Sequence, residues 1–278
     1  ANGLQTHWAL IEDYAELLLF EPHRESYVKL KELSINLGLS NQWHIFQKAV
    51  SDKSGSRDLY LFNVPTGSSL LPPDANTISK DNQYVYPIKK EKVETIRLDE
   101  ARAEIGCDYI DLIKIDVQGT ELDVLNGLGK HGLNNVIAVE VENIIRPYYM
   151  GQTKLNDLYQ LMERHGLQLF DLKSCKLKLN DYKHKDIIKQ IMGVKYESLG
   201  FANPIHEFDL LFFRSPDNII NSKDHTMLRK LVLCLCLYGF YPSAVEITER
   251  AREENILTDS ESDIINNSIR TIYEKKYK

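Results

Sequence analysis

Short apolar runs alternate along this chain with stretches in which apolar residues recur every three or four positions. Four runs read as strands: Leu17 to Phe20, His44 to Val50, Ile110 to Ile115 and Val136 to Val141. Helical patterns lie between them. Tyr27, Leu30, Leu33 and Leu37 share one face of a helix over 26–37, and Leu122, Leu125 and Leu128 share one face of a helix over 120–128. Strand and helix in alternation build βαβ units on a parallel sheet. A helix over 155–165 then precedes two more strands, 167–172 and 208–213, separated by a polar insertion and expected to pair as a hairpin. Between Asp52 and Arg97 the periodicity fades, and Pro65, Gly67, Pro72, Pro73 and Pro87 punctuate a polar stretch, as in a binding loop or flap. From Ser222 the pattern turns wholly helical, with Leu228, Leu231, Leu235 and Tyr238 on one stripe and a break at Gly239 to Pro242. The expected organisation is an α/β domain over 1–217 and a helical extension over 218–278.

Composition narrows the class. A chain of 278 residues with 43% hydrophobic side chains suits one α/β domain of roughly 200 residues plus an appendage. No apolar run reaches the roughly 18 residues that a membrane span needs, so no membrane partner is expected. A net charge of −6 without a clustered basic face argues against a nucleic-acid partner. Cys107, Cys175, Cys234 and Cys236 have neither zinc nor disulfide spacing. They read as reduced, buried thiols, and so as a protein of the cytoplasm. The eight histidines show no i,i+4 pair and no His-x-Glu with a downstream C-x-x-C, so no metal site is assigned to them.

Ligands of an open parallel sheet bind beyond the carboxyl ends of its strands, and acids follow four of the apolar runs. They are Glu21, Asp52, Asp116, and the pair Glu140 and Glu142. Glu21 has two readings, a carboxylate that grips both hydroxyls of a ribose and a helix-start acid before Pro22. The segment from Leu112 to Glu121 carries the most chemistry. Strand alternation puts Lys114 and Asp116 on one side, Gly119 permits a tight turn, and Thr120 or Gln118 is placed to cap the next helix. Asp116 and Glu121 then meet at one mouth. Lys114, inside an apolar strand, requires a carboxylate, for which Glu140 and Glu142 are candidates, and the alternative is a structural ion pair beneath the site. Asn2 and Gly3 are placed to end a Gly-rich turn against a cofactor, although one glycine is no fingerprint. His206, just before the last strand, is an outside candidate for general base.

Taken together, these segments resemble the FkbM family of methyltransferases. The most specific is Asp111-Leu-Ile-Lys-Ile-Asp-Val-Gln-Gly-Thr-Glu121, similar to the family's K-I-D-V-E-G-x-E signature with Gln118 where Glu is usual. Phe20-Glu21-Pro22, Ala49-Val50-Ser51-Asp52, Gly67-Ser68-Ser69-Leu70, Val93 to Asp99, Val139-Glu140-Val141-Glu142 and Phe208 to Phe212 follow in order, so the likeness covers about 1–215. The resemblance implies a Rossmann-like class I methyltransferase sheet, mostly parallel with its last strand antiparallel, that binds S-adenosyl-L-methionine. It also implies methylation of oxygen on a sugar, glycan or similar polar small molecule. Under it, Asn2 and Gly3 match the end of the loop around the methionine moiety, Glu21 the ribose acid, and Ser51 with Asp52 the adenine site. The family's first strand and the D-V-G of its loop have no counterpart here, and a strand upstream of Ala1 is expected.

For the acceptor hydroxyl, Asp116 is the first choice of base, with Glu142 or Glu121 as alternatives and Lys114 and Glu140 beside the pocket. The same carboxylates suit Mg²⁺ by their oxygen ligands, a lesser reading. Two competing functions stay open: a methyltransferase acting on nitrogen or on protein, and an inactive module that keeps the fold for binding or assembly. The C-terminal apolar stripe, including Val245 and Ile264, packs on the main domain or forms a homodimer surface.

Overall fold

The computed structural model describes residues 8, 11, 14–76, 86–177, 184–192 and 204–277. Asn2 and Gly3 lie outside the described residues. Strand β1 (Leu17–Phe20) crosses over through helix α1 (Arg24–Asn36) to the parallel strand β2 (Trp43–Phe46). Leu30, Leu39 and Trp43 fill the space between them, with Leu17, Leu19, Leu33 and Ile45 packed around.

The apolar run over 44–50 is not one strand. It bends at Gln47 and Lys48, and the remaining β3 (Ala49–Val50) joins a different sheet. There β3 runs parallel to β5 (Pro87–Ile96), which pairs antiparallel with β4 (Gly55–Phe62) from Gly55 opposite Thr95 to Phe62 opposite Pro87. The stretch expected to be an irregular flap is therefore largely a β-ribbon. Its sequence hides this, because β5 is exposed along most of its length and buries only Thr95 and Ile96.

After helix α2 (Leu98–Glu104), a four-stranded sheet follows in the order β6 (Leu112–Ile115), β7 (Ala138–Ile144), β9 (Ile205–Arg214), β8 (Leu167–Lys176). β6 and β7 are parallel, and β9 runs antiparallel to both of its neighbours. The antiparallel last strand and the pairing of the final two strands follow the sequence expectation. The single continuous sheet does not, for the described strands fall into sheets of two, three and four. Among the described residues, β1 pairs with β2 alone and β6 with β7 alone.

Side-chain alternation gives the four-stranded sheet two unlike faces. On one, Ile113, Ile115, Val139, Val141, Leu210 and Phe212 pack against Val124 and Leu125 of α3 (Glu121–Asn126) and Leu158 and Met162 of α4 (Leu155–Arg164). Val50 and Leu98 join the same cluster and tie the second sheet to it. On the other face, Ala138, Leu211 and Phe213 are covered by the C-terminal helices.

The insertion between β8 and β9 holds α5 (Lys185–Met192), and the tail is α6 (Pro216–Ser222), α7 (His225–Leu237), α8 (Tyr241–Glu253) and α9 (Asp259–Tyr277). Leu228, Leu231 and Leu235 are essentially inaccessible in a core shared with Ala138 and Phe213. Each such side chain contributes about 1.5–3 kcal/mol by leaving water, so the helical layer is built into the sheet. Val245 and Ile264 remain exposed.

Candidate active site

Toward their C-terminal ends β6 and β7 change character on the face that carries the C-terminal helices lower down. Lys114 stands in register with Glu140, and Glu142 with Asp209 of β9. Lys114 Nζ lies 3.1 Å from Glu140 Oε1, and the hydroxyl of Tyr238, the C-cap of α7, donates to Glu140 Oε2 at 2.9 Å. This pair sits one side-chain repeat below Glu142, against the helical layer. The lysine thus has its carboxylate, and the arrangement is that of an ion pair beneath the strand tips.

Beyond Ile115 the chain passes through Asp116, which is exposed, into a tight turn at Gln118 and Gly119. Gly119 has φ +106°, and a Cβ there would come within 3.0 Å of Gln152 Cβ and 3.2 Å of Leu71 Cδ1. Its N–H donates to Glu121 Oε1 at 2.7 Å. Glu121 is only 1% exposed, and burial raises its pKa. It braces the turn from inside, so the structure does not bring it together with Asp116 at an open mouth. Thr120 is the N-cap of α3 without a side-chain cap bond, and Gln118 does not cap the helix.

Gln118 instead turns toward the carboxylates. Its Nε2 donates to Asp116 Oδ1 at 3.1 Å and to Glu142 Oε1 at 2.8 Å. Its backbone carbonyl accepts from Ser69 Oγ at 2.6 Å, which docks the loop after β4 onto the turn. Tyr149 is buried behind it, with its hydroxyl 2.6 Å from the Gly67 carbonyl and 3.2 Å from Gln118 Oε1. Glu142 has the most perturbed carboxyl here. Burial, then the neighbouring charges of Asp116 and Glu207, lift its pKa from 4.5 to about 7, while the Gln118 donor works the other way. His206 lies 3.5 Å from Glu207 on β9.

The residues expected to hold a nucleoside stand at the tips of the other strands. Glu21 follows β1, half-buried, and accepts the His23 backbone N–H on Oε1 at 2.9 Å. Ser51, fully buried, donates to Asp52 Oδ1 at 3.1 Å and accepts from Arg57 Nη1 at 2.8 Å. Arg57 also donates to Asp123 Oδ2 of α3 at 2.8 Å, and Arg97 Nη1 donates to the Asp52 carbonyl at 2.8 Å. Gly127 is pressed against this loop, since a Cβ there would lie 2.6 Å from the Ser51 carbonyl oxygen. The loop is therefore held from β4, from the N-cap of α2 and from α3 together.

Arg57, Gln118 and Tyr149 are the residues that sequence reasoning missed. Gln118 had a signal, as the departure from Glu in an otherwise matching segment. Tyr149 follows a strand tip in an aromatic pair, a weak signal, and Arg57 had none. Among the described residues, no group of three His, Cys, Asp or Glu is placed to hold a metal ion. No helix among them is long and apolar enough to cross a membrane.

The described α/β fold thus carries acids at several strand tips and a clamped turn after β6, the edge strand of the four-stranded sheet, in the region where open α/β sheets bind their ligands. Residues 6–169 match the model of the FkbM methyltransferase domain, and the chain belongs to that family. It is 31% identical over 156 residues to the 2-O-methyltransferase NoeI of Sinorhizobium fredii, covering 53% of this chain and 61% of NoeI. Over 149 residues it is 31% identical to methyltransferase sdnD of Sordaria araneosa, covering 46% of this chain and 57% of sdnD. Over 126 residues it is 33% identical to the AMB antimetabolite synthetase AmbE of Pseudomonas aeruginosa, covering 43% of this chain and 6% of AmbE. The chain thus spans less than two thirds of each of these relatives. No solved structure matches it.

Proposed function

We propose that the protein is an S-adenosylmethionine-dependent O-methyltransferase acting on a hydroxyl of a sugar, glycan or similar polar small molecule, with Glu142 as the general base. The observation that carries this reading is the Glu142 carboxyl, half-buried beside Asp116 and poised at about 7. A base is most effective when its pKa lies near the working pH, and a sugar hydroxyl is a poor nucleophile until its proton has somewhere to go. The 2-O-methyltransferase among the relatives supports oxygen as the acceptor atom.

The residues present suit the methyl donor. Glu21 has one carboxylate oxygen engaged by the His23 N–H and a second for a ribose diol. The Asp52 carboxylate is held by Ser51, itself held by Arg57, and the Asp52 carbonyl by Arg97, which leaves a fixed acceptor for an adenine amino group. When bound, S-adenosylmethionine supplies an activated methyl group on a sulfonium. The chain's own work is to hold an acceptor hydroxyl near the strand tips and receive its proton. Asp116, exposed at the mouth beside Glu142, raises the basicity of Glu142. Positioning of this kind lowers a barrier by up to about 7–11 kcal/mol in favourable cases.

The test uses the full-length protein with methyl-tritiated S-adenosylmethionine and separate pools of oligosaccharides and of peptides. The expected result is label on oligosaccharide hydroxyls, reduced about 10²–10⁴-fold by Glu142→Gln. Label confined to peptides would overturn the acceptor, and full activity of the variant would overturn the base.

A further inference from the structure

Three non-glycine residues among the described positions have left-handed backbones: Gln118 at φ 55°, Lys223 at φ 54° and Asn255 at φ 55°. Two have ordinary explanations. Lys223 is the C-cap of α6, and Asn255 directly follows the C-cap of α8, sites where a left-handed residue closes the last turn. Gln118 closes no helix. It sits between a strand and a helix, followed by a glycine that is itself left-handed, in a conformation unfavourable for a side chain with a Cβ. Such backbones persist where surrounding contacts over-determine them, and they concentrate at functional sites.

The contacts that hold Gln118 also fix what its side chain does. Ser69 Oγ grips its carbonyl, and Tyr149, pinned by the Gly67 carbonyl, stands at its Oε1. Both carboxylates are acceptors, so the amide has a single sensible orientation: NH₂ toward Asp116 and Glu142, one hydrogen for each. We infer that Gln118 is a positioning residue of the transfer site, whose amide, wedged between the two acids, aims Glu142 at the acceptor and favours its ionised form. This rests on the reading of Glu142 as the base.

The surroundings make such a donor necessary. Asp116 faces Glu142 from the turn after β6, and Glu207 and Asp209 face it from β9, so three negative charges oppose its ionisation. His206 stands 3.5 Å from Glu207, and Lys173 of β8 is in register with Asp209, each beside an acid other than Glu142. Tyr149, behind the amide, and Cys175 of β8, facing the same acids, are each held above their ordinary range chiefly by burial and stay neutral. Against these groups Gln118 is the side chain that lowers the Glu142 pKa by hydrogen bonding. With a carboxylate at position 118, a fourth negative charge would stand where the amide now donates.

The experiment follows Glu142 directly. The full-length protein, labelled with [δ-¹³C]glutamate, is titrated by carbon NMR, with Glu142→Gln to assign the resonance. Wild-type Glu142 is expected to titrate near 7. In Gln118→Gly the strained backbone relaxes, the melting temperature holds or rises, and the Glu142 midpoint moves up by about one pH unit, a tenfold loss of ionised base below it. Gln118→Asn, which also tolerates the left-handed backbone but is one methylene shorter, is expected to move the midpoint in the same direction. An unmoved midpoint in both variants would overturn the inference, as would a fall in melting temperature with the midpoint in place, which marks a merely structural staple. A wild-type Glu142 that titrates near 4.5 would instead remove the base reading itself.

Discussion

Replacing Glu142 with Gln tests the energetics of the site without any need to know the acceptor. The folded protein holds the Glu142 carboxyl at about 7 against 4.5 in an open chain, so the fold binds its proton more tightly than the unfolded state does. For a raised acid the sign is fixed: below pH 4.5 the group costs the fold nothing, and stability is lost as pH rises toward 7. At about 1.36 kcal/mol per pKa unit the interval is worth about 3.4 kcal/mol. The carboxylate keeps partial contact with solvent, and screening reduces this to about 2 kcal/mol. Glu142→Gln is nearly isosteric and cannot ionise, so it should be more stable than the wild type by about that amount at pH 8 and by little at pH 4.5. Other raised acids such as Glu121 act equally on both proteins and cancel in the difference. Urea unfolding followed by circular dichroism at the two pH values measures it. A stability difference that does not change with pH would refute the reasoning, for it would mean that Glu142 is not held at an unfavourable charge in the fold.

Gly127→Ala places a methyl 2.6 Å from the Ser51 carbonyl, backbone against backbone, and should cost about 1–3 kcal/mol in stability. Because the displaced segment is the expected adenine loop, calorimetric affinity for S-adenosylmethionine should fall about tenfold, about 1.4 kcal/mol. Unchanged affinity would separate that loop from the cofactor. Arg214 is 7% exposed, and its guanidinium donates to the carbonyls of Leu133, Val136 and His165. Arg214→Met strips buried acceptors of their donor, and a loss of about 3–5 kcal/mol in a denaturant titration is expected.

The parts of this molecule that its sequence displays are those where one side chain pattern has one structural solution. Leu112 to Ile115 is short and apolar but for Lys114, so it is a strand, and that lysine announces a carboxylate partner, found at the half-buried Glu140. The β4–β5 ribbon was hidden because Lys89, Lys90 and Lys92 face solvent, and its strands form through backbone pairing rather than burial. In the site, Asp116 and Glu142 were legible as acids at strand tips. Their different surroundings were not, since these depend on depth: Asp116 is exposed, whereas Glu142 is half-buried and next to a second charge. Glu121 looked equivalent to both in sequence, yet the turn at Gly119 folds it inward.

The most direct measurement is the pH dependence of single-turnover methyl transfer by the full-length protein, wild type against Glu142→Gln. The account predicts a rate that climbs through a midpoint near 7 in the wild type, and a low, level profile in the variant. The same rising limb in both proteins would contradict it, because the group that takes the acceptor's proton would then lie elsewhere.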